Sequence, residues 1–180
     1  LAESISAISS RVYLRDVSRA KTYSVSVATG KNSYSACLSG DGRHVFFVTS
    51  EGLLYDYQVN AGTREVITEG VDSYAPIAVS YAGDVLLYKK GGGLTLRRGG
   101  TEISLPLPAG TVDVINPSLS RDGQTAIFLA RTADTQSYSL YAYFGSTPGN
   151  SVLLLGGVRY ASLSMSGATA LVQQDDGQGG

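Results

Sequence analysis

One short phrase occurs four times along the chain, and its spacing limits the fold more than any other feature. The copies are Leu38-Ser39-Gly40-Asp41-Gly42, Val79-Ser80-Tyr81-Ala82-Gly83, Leu119-Ser120-Arg121-Asp122-Gly123 and Leu163-Ser164-Met165-Ser166-Gly167. Their final glycines lie 41, 40 and 44 residues apart. A period near 40 residues marks a repeat architecture, in which each unit buries its apolar faces against its neighbours.

Each unit reads as four strands. Before the turn comes a segment with small residues: Ser35 to Leu38, Pro76 to Val79, Asn116 to Leu119 and Tyr160 to Leu163. A strongly apolar strand follows it: His44 to Val48, Val85 to Tyr88, Ala126 to Leu129 and Ala170 to Val172. Third strands fall at Leu54 to Tyr57, Leu94 to Arg97 and Leu140 to Tyr143, and fourth strands at Glu65 to Thr68, Ile103 to Leu105 and Val152 to Leu155. No long window carries a helical period, and glycine punctuates almost every junction. The fold class expected is all-β, a β-propeller of four-stranded antiparallel blades. Small residues Ala36, Ala78, Ser118 and Ala161 suit the innermost strands, while Phe46, Phe47, Leu87, Phe128 and Tyr141 suit the space between blades.

Aligning Val12-Tyr13 with Leu54-Tyr55 makes the chain open inside a blade, with Glu3 to Ser9 on a second strand, and close after another second strand near Gln173. The expected units are a partial blade over 1–30, blades over about 31–70, 71–110 and 111–157, a partial blade over 158–174, and a flexible tail over 175–180. Two architectures follow, about four blades closing on themselves or a segment of a larger ring. A segment or a multi-chain assembly is the expectation adopted.

The run Asn116-Pro117-Ser118-Leu119-Ser120-Arg121-Asp122-Gly123-Gln124-Thr125-Ala126-Ile127-Phe128, with Val12-Tyr13-Leu14-Arg15-Asp16-Val17 as a third strand, resembles the TolB-like (WD40-like) β-propeller repeat family. The resemblance extends over nearly the whole chain. It departs from the family pattern in lacking a Trp before the serine, in losing the aspartate in two copies, and in placing Gly40 and Arg121 where the family has proline. It implies a propeller module, with hydrolase-associated propellers among its relatives.

Composition narrows the chemistry. Charged residues make up 16% of the 180, with 14 basic against 15 acidic, so the clustered basic excess that neutralises nucleic-acid phosphates is missing. The longest uncharged stretch, Thr135 to Val158, contains Gln136, Pro148 and Asn150 and is no membrane span. Leu1 opens the sequence without a basic and apolar leader, so any signal peptide is expected to be already gone or never to have been there. Richness in Gly, Ser, Thr and Tyr with little Lys suggests an exported bacterial protein, periplasmic or secreted. Cys37 stands alone, which excludes a disulfide framework, and no ligand set for a metal or other cofactor is expected.

The single imidazole, His44, lies just past a turn and reads as a solvated strand-start histidine; no Gly-x-Ser-x-Gly elbow occurs, so no enzyme is expected here. Asp41 and Asp122 each offer one carboxylate, too few oxygens for calcium, and read as turn stabilisers. Gly91-Gly92-Gly93 reads as a hairpin, and Lys89, Lys90, Arg97 and Arg98 as its solvated basic residues.

Tyr34, Tyr74 and Tyr160 each precede an inner strand, which places them where entry loops gather at one mouth of the ring. Either they pack under their own blades, or with Asp72, Asp113 and Arg159 they line a surface for a protein or peptide partner. Three roles follow: an interaction or scaffold module, an accessory propeller of a hydrolase, or a subunit that self-associates through open blade edges.

Overall fold

A computed structural model describes residues 9–146, 149 and 151–174. A hairpin of β1 (Tyr13–Asp16) and β2 (Lys21–Ser24) comes first. The first complete blade is β3 (Ser33–Leu38), β4 (His44–Thr49), β5 (Leu54–Gln58) and β6 (Thr63–Thr68). The second is β7 (Ala78–Val79), β8 (Val85–Lys90), β9 (Gly93–Arg98) and β10 (Thr101–Ser104). A five-stranded sheet ends the chain: β11 (Thr111–Leu119), β12 (Thr125–Thr132), β13 (Tyr138–Phe144), β14 (Val152–Leu163) and β15 (Ala170–Gln174). Among the described residues the strand pairings are antiparallel and between sequence neighbours, and these sheets form an open arc of propeller blades. The expected strand at Glu3 to Ser9 lies almost wholly outside the described residues, as does the expected tail over 175–180.

The junction at 157/158 falls inside one continuous strand. Val152 to Val158 of β14 pair with β13 as the outer strand of the third blade, whereas Val158 to Leu163 pair with β15 as the inner strand of the next unit. Gly157, at φ +67°, lets the strand change direction there without a loop.

Second strands supply the core, as their apolar runs require. Phe46, Phe47, Leu87 and Phe128 are fully or almost fully buried, each between two sheets. Aromatic side chains of third strands lie over them: Phe47 stacks on Tyr55 at 5.1 Å and Phe128 on Tyr141 at 5.9 Å.

The repeated phrase acts as a hydrogen-bonding hub. The buried Ser39, Ser80 and Ser120 accept, on their hydroxyls, the backbone N–H five residues ahead, at 2.9–3.0 Å. Ser39 and Ser120 donate that hydroxyl to Asp41 and Asp122 two residues on. The turn of the second blade lacks this aspartate, having Ala82, and Ser80 donates instead to Asp84 at 2.7 Å. In the last copy the hydroxyl of Ser166 lies 3.1 Å from that of Ser164. Hydrogen bonds from Ser39 and from the Arg43 N–H hold Asp41 below the usual carboxylate range, and Ser120 and the Gln124 N–H do so for Asp122.

The same turns stitch blades together. The Asp41 N–H donates to the Tyr81 carbonyl (3.0 Å), the Tyr81 N–H to the Arg121 carbonyl (2.9 Å), and the Arg121 N–H to the Met165 carbonyl (2.7 Å). His44 is not the solvated edge residue expected: its Nδ1 lies 2.9 Å from Oδ2 of the buried Asp56, and its ring sits beneath Gly83 of the following blade. The hairpin cations are engaged too, Lys89 with Asp113, Lys90 with Thr68 and Glu102, Arg97 with the Gly100 carbonyl and Arg98 with that of Gly123.

Glu102 carries an acid-side expectation. Burial would raise its carboxyl, but hydrogen bonds from Lys90, Thr68 and Tyr88 outweigh that and hold it at about 2 against an ordinary 4.5. A depressed value means that the ionised form stabilises the fold above pH 4.5, and that this contribution fades as pH falls from 4.5 towards 2. The strand faces solvent, so screening leaves about 1 kcal/mol or less. Urea unfolding across that window is expected to be less pH-dependent for Glu102→Gln than for the parent chain; an unchanged slope would remove Glu102 from this role.

Candidate interaction face

Antiparallel meanders place the loops entering the inner strands at one end of the arc and the serine turns at the other. At the entry end, Tyr34 lies near the start of β3, where Ser35 takes φ +49° in a bulge between the Tyr34 and Cys37 pairings. That bulge turns the Ser35 hydroxyl towards the second blade, where it donates to the Ser73 carbonyl at 3.0 Å. Ser73 in turn donates its hydroxyl to the Thr49 carbonyl at 2.8 Å, which ties the second blade's entry loop to the first blade.

This tied loop presents Tyr74. Asp72 accepts the Tyr74 N–H on Oδ1 (3.1 Å) and donates its own N–H to the Lys89 carbonyl (2.9 Å). The Tyr74 ring lies 4.7 Å from that of Tyr34, inclined by 35°. A hydrogen bond with Tyr34 raises the Tyr74 phenol above its ordinary value. Even so, Tyr74 is 76% exposed. An aromatic held at three points yet left in water is already ordered before any partner arrives.

Asp113 and Arg159 belong to a second group one blade along. Asp113 accepts the Tyr138 hydroxyl (2.7 Å), Lys89 Nζ from the second blade (3.0 Å) and the Val114 N–H (2.9 Å). Those donors, Tyr138 foremost, hold the Asp113 carboxyl low, and the carboxylate pushes the Tyr138 phenol up. The Arg131 guanidinium lies 5.7 Å from the Tyr138 ring centre. Arg159 lines a cavity of about 300 Å³ with Tyr138, Ile115 and Gln136. Tyr160 sits on β14 opposite Gln173, half-exposed, with no ring contact to Tyr34 or Tyr74 among the described residues.

The structure thus joins Tyr34, Tyr74 and Asp72, bonds Asp113 to Tyr138, which lines the same cavity as Arg159, and leaves Tyr160 outside both groups. Sequence reasoning missed Ser73, Tyr138 and the part played by Lys89. A Tyr that opens a third strand, like Tyr138, carries no sign of the aspartate 25 residues earlier that it bonds. At the opposite end, Arg121 lies 4.0 Å over the Tyr81 ring beside a cavity of about 480 Å³ also lined by Asp84, Asp122 and Met165. Among the described residues no group of three metal-ligating side chains converges, and no helix is long and apolar enough to cross a membrane.

No protein-family model matches the chain, and no curated protein matches it in sequence. Solved structures do resemble it. TolB from Acinetobacter baumannii superposes with a TM-score of 0.65 at 18% identity, over 93% of this chain and 44% of TolB. The tricorn protease gives 0.63 at 10% identity over 83% of this chain and 20% of the protease. A chain of the nidogen/laminin complex gives 0.60 at 10% identity over 82% of this chain and 59% of its own. The chain therefore spans less than two thirds of each of these proteins. At such identities the likeness shows fold alone, and that fold is a β-propeller arc similar to part of TolB.

Proposed function

We propose that the chain is a non-catalytic propeller module of an exported bacterial protein, and that its entry-loop face binds a protein or peptide partner. The observation that carries this reading is the Tyr34–Tyr74 pair, exposed at Tyr74 and braced by Asp72, Ser73 and Ser35. Exposed, preorganised tyrosines are typical anchors of protein contacts, because they offer a large amphipathic surface for little entropy lost on binding. Asp113, Tyr138 and Arg159 extend the face with charge and a shallow cavity. The resemblance to TolB supports export.

Peptides selected from a displayed library against the parent chain test this. Clones bound at this face are expected to lose at least tenfold in affinity for Tyr74→Ser, while the melting temperature shifts little, because an exposed substitution costs within about 0.5 kcal/mol. Undiminished binding by every clone, or a loss of stability matching the loss of binding, would overturn the reading.

A second reading has one observation in its favour. The matching arc makes up 20% of the tricorn protease chain, so an arc of this kind can serve as the accessory part of a hydrolase. A catalytic domain encoded beside this segment in the gene would favour that role.

A further inference from the structure

The third residues of the repeated phrases form a column across the serine-turn end of the arc. Tyr81 donates its N–H to the Arg121 carbonyl and Arg121 donates its own to the Met165 carbonyl, while the Tyr81 carbonyl accepts the Asp41 N–H, so the main chain fixes both residues. Their side chains follow the same order. The Tyr81 ring fills the space over Gly40, where a Cβ would stand 2.4 Å from its Cδ2, and the Arg121 guanidinium lies 4.0 Å from the Tyr81 ring centre. Tyr81 belongs to the second blade and Arg121 to the third, with a described unit on either side of the pair.

The cavity of about 480 Å³ opens beside this column, lined among others by Tyr81, Asp84, Arg121, Asp122 and Met165. Its two carboxylates are oriented by their own turns. Asp84 accepts the Ser80 hydroxyl, and Asp122 accepts the Ser120 hydroxyl and the Gln124 N–H, in each case on Oδ1, which leaves Oδ2 to another donor. The Arg121 side chain makes no hydrogen bond or ion pair among the described residues, although both aspartates line the same cavity. An aromatic face rather than an acid holds it, so the guanidinium keeps its fork of N–H donors.

Such a fork is matched by the two oxygens of a carboxylate. A bare anion would meet the two aspartates as well as the arginine, and their repulsion opposes its binding. The ligand therefore needs cationic groups beside its carboxylate. The charged groups lining the cavity leave one negative charge in excess. Arg98, the other cation acting on Asp122, donates to the Gly123 carbonyl and does not line the cavity. One anionic group for Arg121 and one cationic group for each aspartate complete the match.

We propose that this cavity binds a free basic amino acid such as lysine, its carboxylate on the Arg121 fork and its two ammonium groups towards Asp84 and Asp122. The volume, about 480 Å³, falls within the roughly 300–1,000 Å³ of small-molecule sites. The site lies at the end of the arc opposite Tyr34 and Tyr74 and does not depend on partner binding there.

Titration of the isotope-labelled 180-residue chain, followed by the backbone amide resonances, tests this with three probes. Lysine carries all three groups, cadaverine lacks the carboxylate, and 6-aminohexanoate lacks the α-ammonium. Lysine is expected to shift the amides of Tyr81, Asp84, Arg121 and Asp122 saturably, with each of the other probes at least about tenfold weaker, since each forgoes a charged hydrogen bond. Arg121→Gln should weaken lysine by a similar factor and leave cadaverine no weaker, whereas Asp84→Asn should weaken both. Tyr74→Ser, on the opposite face, should change neither. Cadaverine binding as tightly as lysine, or an equal loss of both in Arg121→Gln, would overturn the proposal. So would the absence of a saturable shift, which, with a loss of stability in Arg121→Gln, would make Arg121 a brace between blades only.

Discussion

Replacing Phe128 by alanine is expected to cost about 3–5 kcal/mol, a large share of the roughly 5–15 kcal/mol that holds a domain folded. Phe128 is fully buried and meets two sheets at once. Val85, Leu87 and Leu96 of the second blade lie on one side of it, and Ala126, Ala130 and Tyr143 of its own blade on the other. Truncation removes its stacking on Tyr141 and leaves a cavity that stiff strands cannot close. Because repeat stability is a sum of blade terms and interface terms, loosening this interface should uncouple the first two blades from the third. Chemical unfolding followed by hydrogen exchange checks it: amides of β12 and β13 should lose protection first, and Phe128→Leu should restore most of the stability. Uniform loss across all blades would show that the arc unfolds as one unit.

The turn glycine Gly123 yields the second large effect. Its φ of +67° alone makes alanine cost about 1–2 kcal/mol, and a Cβ there would stand 2.6 Å from Cβ of Val85 on the second blade. The turn would have to retreat from that blade, adding roughly 1–3 kcal/mol and straining the hydrogen bond from the Tyr81 N–H to the Arg121 carbonyl. Gly42 supplies the control, since it has φ +72° but no atom within 4 Å of its would-be Cβ. Gly42→Ala should therefore show the backbone cost alone. The difference between the two variants in urea unfolding measures the close approach of blades; equal losses would mean that only the backbone matters.

That contrast shows why the fold was so legible. A tight turn needs positive φ in every copy, so glycine recurs on schedule whether or not a neighbour presses on it. The buried serine recurs because one hydroxyl must accept the same backbone N–H each time. Strand identity was legible for a similar reason: second strands lie between two sheets and read as unbroken apolar runs, such as His44 to Val48.

The candidate face was legible only in part. Tyr34 and Tyr74 stood out because both lie near the entry to an inner strand, and the structure brings their rings to 4.7 Å, although it places Tyr34 within the strand itself. Asp113 and Arg159 were singled out without Tyr138, which bonds Asp113 and lines the same cavity as Arg159. The transfer of the serine's partner from the turn position held by Ala82 to Asp84 also left no mark, because a carboxylate four residues from the serine fits no repeat.

The sequence by itself determined the unit, its four strands and its turns, since these rest on interactions within a few residues or on a regular period. Only the tertiary structure decided which residues of different blades touch: Lys89 with Asp113, Ser35 with Ser73, His44 under Gly83. Such contacts join residues about 40 positions or fewer apart, through side chains whose direction depends on how one twisted sheet packs on the next. No local propensity encodes that packing, and the face on which we place partner binding is built from it.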